Sequence, residues 1–327
     1  MSTYHTTVRD VYKKAAETPE SALCCIPQSP LYLPELTIPQ IMHEMNYGCG
    51  STVHPDDMSP GQRVLYVGIG GGLEALQLAY FTRRPGGVIA IDPVEEMREV
   101  AKQNLEEAAR INPWFDPSFV TICDGDALDL PVEAESIDFA AQNCLFNIFT
   151  TADDGDDLAK ALSEMHRVMK PSGRLAMSDP VAPYQLPLAL REDARLRAAC
   201  LSGCPTLEHY LGEITAAGFG TVMVRSRRPY RLLDCQRYPL DEDVLLETVE
   251  VTAIKTPAAK DGPCIFTGQT AIYSGQKDSF DDGAGHVLPA GMPMPVCDKT
   301  AKALRKMALK DLTVTPPTWH DSGGGCC

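Results

Sequence analysis

The sequence predicts an α/β protein: a doubly wound, mostly parallel sheet, preceded by an N-terminal cap and followed by an α+β extension. Three observations carry this expectation. Strand-like and helix-like segments alternate from about residue 63 to 180, the rhythm of a parallel sheet covered by helices on both faces. A glycine turn, VGIGGG, follows the first strand and opens a helix. After Ser178-Asp179-Pro180 the rhythm changes to helices and then strands. The expected divisions are therefore 1–60 (cap), 61–180 (core) and 181–327 (extension).

Taken in order, residues 1–20 read as a short polar helix. Residues 21–58 are rich in Pro, Cys and Gly and read as an irregular cap with one short helix near 41–45. Residues 63–67 form a strand, 73–81 a helix stopped by Arg83-Arg84-Pro85-Gly86-Gly87, and 88–91 a buried strand. Over 94–111, Val94, Met97, Ala101, Leu105 and Ala108 recur at three- and four-residue steps, which places them on one helical face. Strands follow at 119–123 and 137–141. A helix over 157–169 buries Leu158, Leu162 and Met165, ends at Pro171-Ser172-Gly173, and leads to a strand at 174–177. The extension carries helices at 191–201 and 206–217, strands at 221–225, 247–254 and 265–273, and a helix at 299–308. The end, DSGGGCC, has the composition of a flexible tether carrying two thiols.

A chain of 327 residues, 44% apolar, has enough hydrophobic content to bury a full core, which excludes wholesale disorder. Its 29 basic and 44 acidic residues give a net charge of −15, which disfavours the phosphate backbone of nucleic acids as a partner. No apolar run approaches the ~20 residues of a membrane helix. The polar N-terminus lacks the apolar region of a secretory signal. The expectation is a cytoplasmic protein without a membrane partner. Twelve cysteines in such a chain point to structural, catalytic or ligating thiols rather than a disulfide scaffold.

The cofactor signal lies at the carboxyl ends of three successive strands, where open α/β sheets place their ligands. VLYVGIGGG brings a strand into a turn in which Gly68, Gly70 and Gly72 let a ligand approach the backbone. Asp92 ends the next strand, in position to accept ribose hydroxyls. Asp124-Gly125-Asp126-Ala127 follows the third, with Asp126 and Ala127 as candidates for holding an adenine amino group. A dinucleotide fold would prefer GxGxxG, but residue 73 is Leu. Over residues 60–180 the set VLYVGIGGG, AIDPVEEM, DGDALDLPV and HRVMKPSGRLAMSD resembles the class I S-adenosylmethionine-dependent methyltransferases. That resemblance implies their fold and S-adenosylmethionine as cofactor, with Asn143 also at the cofactor. One departure is plain: the family often has an acidic residue in the first strand, and here Tyr66 stands in that place.

The thiol signal is an ordered set: Ala22-Leu23-Cys24-Cys25, Tyr47-Gly48-Cys49-Gly50, Asn143-Cys144-Leu145-Phe146-Asn147 and Cys200-Leu201-Ser202-Gly203. From about residue 20 to 220 this set resembles the arsenite methyltransferases. The resemblance implies that Cys144 and Cys200 are the core As(III) thiolates and that Cys49 is the third ligand and redox partner. One of Cys24 and Cys25 would pair with Cys49 in a thiol relay. It further implies small-molecule arsenicals as substrates and a thiol reductant, glutathione or thioredoxin. RRPYRLLDCQ, FTGQTAIYSG, VCDKT and TWHDSGGGCC resemble the bacterial, cyanobacterial-like branch associated with arsenosugar biosynthesis. The chemistry is coherent: soft, trigonal As(III) favours soft thiolates. Its lone pair can attack a sulfonium methyl without a general base, and a thiol pair can then reduce the pentavalent product by closing to a disulfide.

Two other readings stay open at this point. One is a methyltransferase for an organic acceptor, which would need a base. The other is a thiol-rich arsenic or zinc binding protein without turnover. For zinc, only Cys200-x3-Cys204 has ligand-like spacing, to which Cys25, Cys49 and His54 could add. Cys123 and Cys264, in apolar strands, read as small buried residues. Arg227 and Arg228 read as a solvated strand end, with anion binding the less favoured role.

Overall fold

A computed structural model describes residues 3–20, 23, 30–151 and 155–321. Cys24, Cys25, Cys326 and Cys327 lie outside the described residues.

The central sheet has eight strands in the order β3-β2-β1-β4-β5-β7-β6-β8. β1 (Val64–Val67), β2 (Val88–Asp92), β3 (Val120–Asp124), β4 (Ile137–Asn143) and β5 (Met169–Val181) run parallel. β7 (Val244–Ile254) is antiparallel to both β5 and β6 (Thr221–Leu233), and β8 (Cys264–Phe266) is parallel to β6. The parallel strands read as near-continuous apolar runs because helices cover both faces; all four residues of β1 are buried. α4 (Glu95–Ile111) turns Met97, Ala101, Leu105 and Ala108 inward, as the periodicity requires. α5 (Asp157–Val168) buries Leu158, Leu162 and Met165. This is the mostly parallel α/β sheet that the alternation predicts.

The extension departs from its predicted form in three places. The helix expected over 191–201 is two short ones, α6 (Leu188–Arg191) and α7 (Ala194–Ala198). The side chain of Asp193 caps α7 by accepting from the backbone N–H of Arg195 and Leu196 at 2.9 and 3.0 Å, and the chain leaves α7 before Cys200, whose φ is +57°. Cys200 therefore sits in a turn. The strand expected over 265–273 divides at Gly268, where φ is +79° and a Cβ would stand 2.1 Å from Thr318 Oγ1. Its first half is β8. Its second half, β9 (Thr270–Tyr273), joins β12 (Met294–Pro295) and β13 (Leu312–Val314) in a separate small sheet. That sheet packs with α9 (Asp298–Lys306) over a second core of Ala271, Leu288, Val296, Ala301 and Leu304. Finally, the expected division at residue 180 does not separate structural layers, because β6, β7 and β8 belong to the central sheet. Cys123 and Cys264 are half-buried rather than buried. Among the described residues no helix is long and apolar enough to cross a membrane.

The cap is fixed to the sheet by a buried charge. Asp57, with no exposed side-chain surface, accepts from Arg174 at 2.6 Å and from Arg225 at 2.7 Å, one on β5 and the other on β6. Removing one member of such a set leaves the others buried without compensation. Asp57→Ala should cost roughly 3 kcal/mol, the lower part of the range for buried pairs because Arg174 is partly exposed. Urea denaturation checks this, and an unchanged midpoint would mean that the cap's other contacts hold it without this charge.

Candidate active site

A cavity lies at the carboxyl ends of β1, β2 and β4. β1 is flanked by β2 on one side and β4 on the other, so successive connections leave in opposite directions and a crevice opens between them. Gly68 and Gly70 line this cavity with φ of +83° and +52°. A Cβ at Gly70 would meet nothing within 4 Å, so the backbone there is open to a ligand. Gly72 does not line it. It precedes α3 (Leu73–Thr82) as the N-cap and packs toward Met42, Ala101 and Leu105, while Gly71 takes its place in the wall. Of the predicted glycine set, Gly68 and Gly70 line the cavity and Gly72 stands behind them.

Asp92, Asp126, Ala127 and Asn143 all line the cavity. Asp92 accepts from the Val94 N–H at 2.9 Å; burial pushes its carboxyl up to about 6, against the opposing pull of that hydrogen bond and of Arg98. Asp126 Oδ2 is ion-paired with Arg9 at 2.8 Å, and its Oδ1 accepts from the Leu128 N–H at 3.0 Å. Arg9 belongs to α1 (Thr3–Glu17), which contributes Tyr4, His5, Val8 and Tyr12 to the same cavity. The helix expected over 1–20 is therefore part of the site, a role the sequence reading missed. The readable signal was Tyr4, Val8 and Tyr12 at four-residue steps, one face of a helix.

Beyond the cavity wall the thiols gather. Cys144 directly follows β4 with φ of +62°, and its N–H donates to Ser178 O at 2.6 Å. Asp179, buried on β5, holds the loop that carries it: Oδ1 accepts from the Phe146 and Asn147 N–H at 3.0 and 3.3 Å, and Oδ2 accepts from Tyr210 at 2.6 Å and from Gln142. Burial pushes Asp179 up to about 7. Cys200 Sγ lies 3.5 Å from Cys144 O. Cys49 Sγ lies 3.4 Å from Ser178 Oγ and accepts from Thr248 at 3.3 Å. Its N–H donates to Asn143 Oδ1 at 2.9 Å. Cys204 Sγ lies 3.5 Å from Cys200 O, and burial raises its thiol well above the ordinary range. All four cysteines are buried, and of them Cys144 lines the cavity.

The structure thus brings Cys49, Cys144, Cys200 and Cys204 into one neighbourhood without presetting a ligand triad. Among the described residues, the one group of three or more His, Cys, Asp or Glu with ligand atoms within 4.8 Å of one another is Asp234, Cys235 and Asp243, on the far loop between β6 and β7. The zinc set of Cys200, Cys204, Cys49 and His54 is not assembled among those residues. Arg227 and Arg228 are ion-paired with Glu247 and Glu250. Asp92→Asn, which removes a charged acceptor, should weaken S-adenosylmethionine about ten- to hundredfold, the ~1.5–3 kcal/mol of a charged hydrogen bond. Titration calorimetry reads this, and unchanged affinity would remove Asp92 from the cofactor contacts.

Comparison with known proteins agrees with this geometry. Residues 65–177 match a family model described as a methyltransferase domain, and residues 260–318 match a domain of unknown function. An arsenite methyltransferase from Aquipseudomonas alcaligenes is 26% identical over 312 residues, covering 92% of this chain and 87% of that protein. An arsenite methyltransferase from Mus musculus is 32% identical over 160 residues, but the match spans 48% of this chain and 40% of the mouse protein. The crystal structure of an arsenic (III) S-adenosylmethionine methyltransferase from Chlamydomonas reinhardtii superposes with a TM-score of 0.58 at 22% identity, over 88% of this chain and 98% of that one, which speaks to the fold. The glycine turn, the acidic strand ends and the sheet order carry the same meaning as the matched domain: residues 65–177 form a methyltransferase domain within a class I fold, and S-adenosylmethionine-dependent methyltransferase is the enzyme class that these findings support.

Proposed function

We propose that the chain methylates thiolate-bound As(III), with Cys144, Cys200 and Cys49 as ligands. The observation that carries this reading is the position of Cys144: it lines the cofactor cavity, while Cys200 packs against its carbonyl from outside. Similarity to proteins named as arsenite methyltransferases supports it.

S-adenosylmethionine, when bound, supplies an electrophilic methyl group. Gly68, Gly70, Asp92 and Asp126 are the residues suited to hold it. The open backbone at the glycines admits its bulk, and the carboxylates are matched to its hydroxyl and amino groups. The protein's remaining work is proximity and orientation. Asp179 clamps the Cys144 loop through two backbone amides and holds α8 (Leu207–Ala216) through Tyr210. α1 supplies one wall of the cavity through Tyr4, His5, Val8, Arg9 and Tyr12. The three thiols would have to draw together around a trivalent arsenic, leaving its lone pair free to attack the methyl group. Cys24 or Cys25, with Cys49, would return arsenic to the trivalent state by forming a disulfide, reset by glutathione or thioredoxin. On this reading methylated arsenic is either an end product of detoxification or an intermediate for arsenosugar synthesis.

An organic acceptor would need a base at the cavity. His5, 3.1 Å from Asp157 and part of the cavity wall, is one residue with that chemistry, beside the carboxylates of the same wall. The two readings separate cleanly. Incubation with arsenite, S-adenosylmethionine and a thiol, followed by chromatography with mass detection, should give methylated arsenic. Cys144→Ser and Cys200→Ser should abolish it for every trivalent arsenical, while His5→Ala retains it. Full activity in either serine variant would remove that cysteine from the ligand set. Cys24→Ser or Cys25→Ser should impair arsenite selectively and spare an already methylated species; equal loss on both would count against the relay.

A further inference from the structure

Three carboxylates line the donor cavity, and they are not alike. Asp92 lies beside Arg98, and Asp126 is ion-paired with Arg9. Glu74, the second residue of α3, is 6% exposed and has no such cation. Its Oε1 accepts from the Thr52 N–H at 2.9 Å, and its Oε2 accepts from the Thr52 hydroxyl at 2.8 Å and the Tyr66 hydroxyl at 2.9 Å. The Asn143 side chain is a further hydrogen-bonding neighbour. Among the described residues no lysine or arginine pairs with it. Buried charges are ordinarily paired, and donors alone leave most of the desolvation cost standing. Burial accordingly holds this carboxyl above its usual range.

Tyr66 supplies the second observation. It occupies the strand position where an acid is common in this fold, and its hydroxyl reaches across to Glu74. The acid is therefore displaced from the strand to the following helix, with the phenol as its bracket. Tyr66 is also an electrostatic neighbour of both Cys144 and Cys49. Tyr66 and Glu74 line the same cavity as the cofactor turn and Cys144, which puts the pair within reach of the methyl-bearing end of the donor if Cys144 marks the acceptor side.

We propose that Glu74, held by Tyr66 and Thr52, is the counter-charge for the donor's sulfonium, and that it makes the cavity favour the charged donor over the product. When the methyl leaves, the carbon–sulfur electron pair stays on sulfur, and the positive charge that Glu74 attracts is gone. S-adenosylhomocysteine is then held less tightly than S-adenosylmethionine at this point, which favours its release. The proposal rests on the donor being S-adenosylmethionine and, for where its sulfonium lies, on Cys144 marking the acceptor side as in the proposed function.

The test is titration calorimetry of S-adenosylmethionine and S-adenosylhomocysteine with the full chain, Glu74→Gln and Tyr66→Phe, without any acceptor. Glu74→Gln keeps the side-chain shape and should weaken S-adenosylmethionine about tenfold or more while weakening S-adenosylhomocysteine less than about threefold. Tyr66→Phe should shift the ratio of the two affinities the same way by a smaller factor, because Thr52 still holds the carboxylate. Parallel loss of both ligands would overturn the proposal, since it would place Glu74 on the amino group that both share. An unchanged ratio would also overturn it. Should Glu74→Gln fail to fold by circular dichroism, the ratio in Tyr66→Phe decides alone. No arsenical is present, so failure here is distinct from failure of the arsenic reading.

Discussion

The reversal of strand order at β1 is the constraint on which the site depends. With β2 on one side and β4 on the other, the helices that follow leave over opposite faces, and no connection closes the gap at the strand ends. The candidate site residues described above gather around it. The glycine turn leaves β1, Asp92 ends β2 and Cys144 follows β4. Asp179 on β5 reaches back to secure the loop after β4. The same register that pairs Asn143 with Ser178 also brings the Cys144 N–H to Ser178 O.

The cap completes the crevice, and it does so largely through polar atoms. Thr52 meets Glu74, Cys49 meets Asn143, Ser51 meets Glu250, and Asp57 meets two arginines. In a buried setting such contacts specify one docking geometry more sharply than apolar packing, which tolerates sliding. Close backbone approach adds to this: a Cβ at Gly48 would sit 2.5 Å from Asn143 Nδ2, and one at Gly50 would sit 2.4 Å from Ser178 Oγ. The YGCG element is therefore shaped to lie against β4 and β5. The arrangement couples donor and thiol regions physically, since Asn143 touches Gly50, Cys49 and Glu74.

Much of this was legible in the sequence because it rests on local rules. The 3.6-residue period of α4, the apolar runs of β1 and β2 and the glycine turn read directly. What escaped depends on contacts distant in sequence. Gly71 lines the cavity while Gly72 packs toward Met42, Ala101 and Leu105, which depends on how the cap and α4 lie against the turn. Tyr66 reads as a missing acid until Glu74 is seen across the turn, eight residues on. The break before Cys200 follows from the Asp193 cap, and the division at Gly268 from the close approach of Thr318 and His320. The role of α1 was hidden because a polar helix ordinarily reads as surface, whereas its partners Asp126 and Asp157 lie over a hundred residues away.

The way α1 is attached makes its response to salt uneven. Its links to the core include Arg9 with Asp126, Lys13 with Glu96, and Tyr4 and His5 with Asp157. These are part-exposed polar contacts, of the kind that dissolved ions screen within a Debye length of about 8 Å at physiological salt. These contacts weaken as ionic strength rises, whereas Val8, Ala15 and Ala16 of the same helix are buried in the main apolar core, where salt does not screen them. Salt therefore loosens the polar edge of α1 along the cavity while leaving its apolar seat in place.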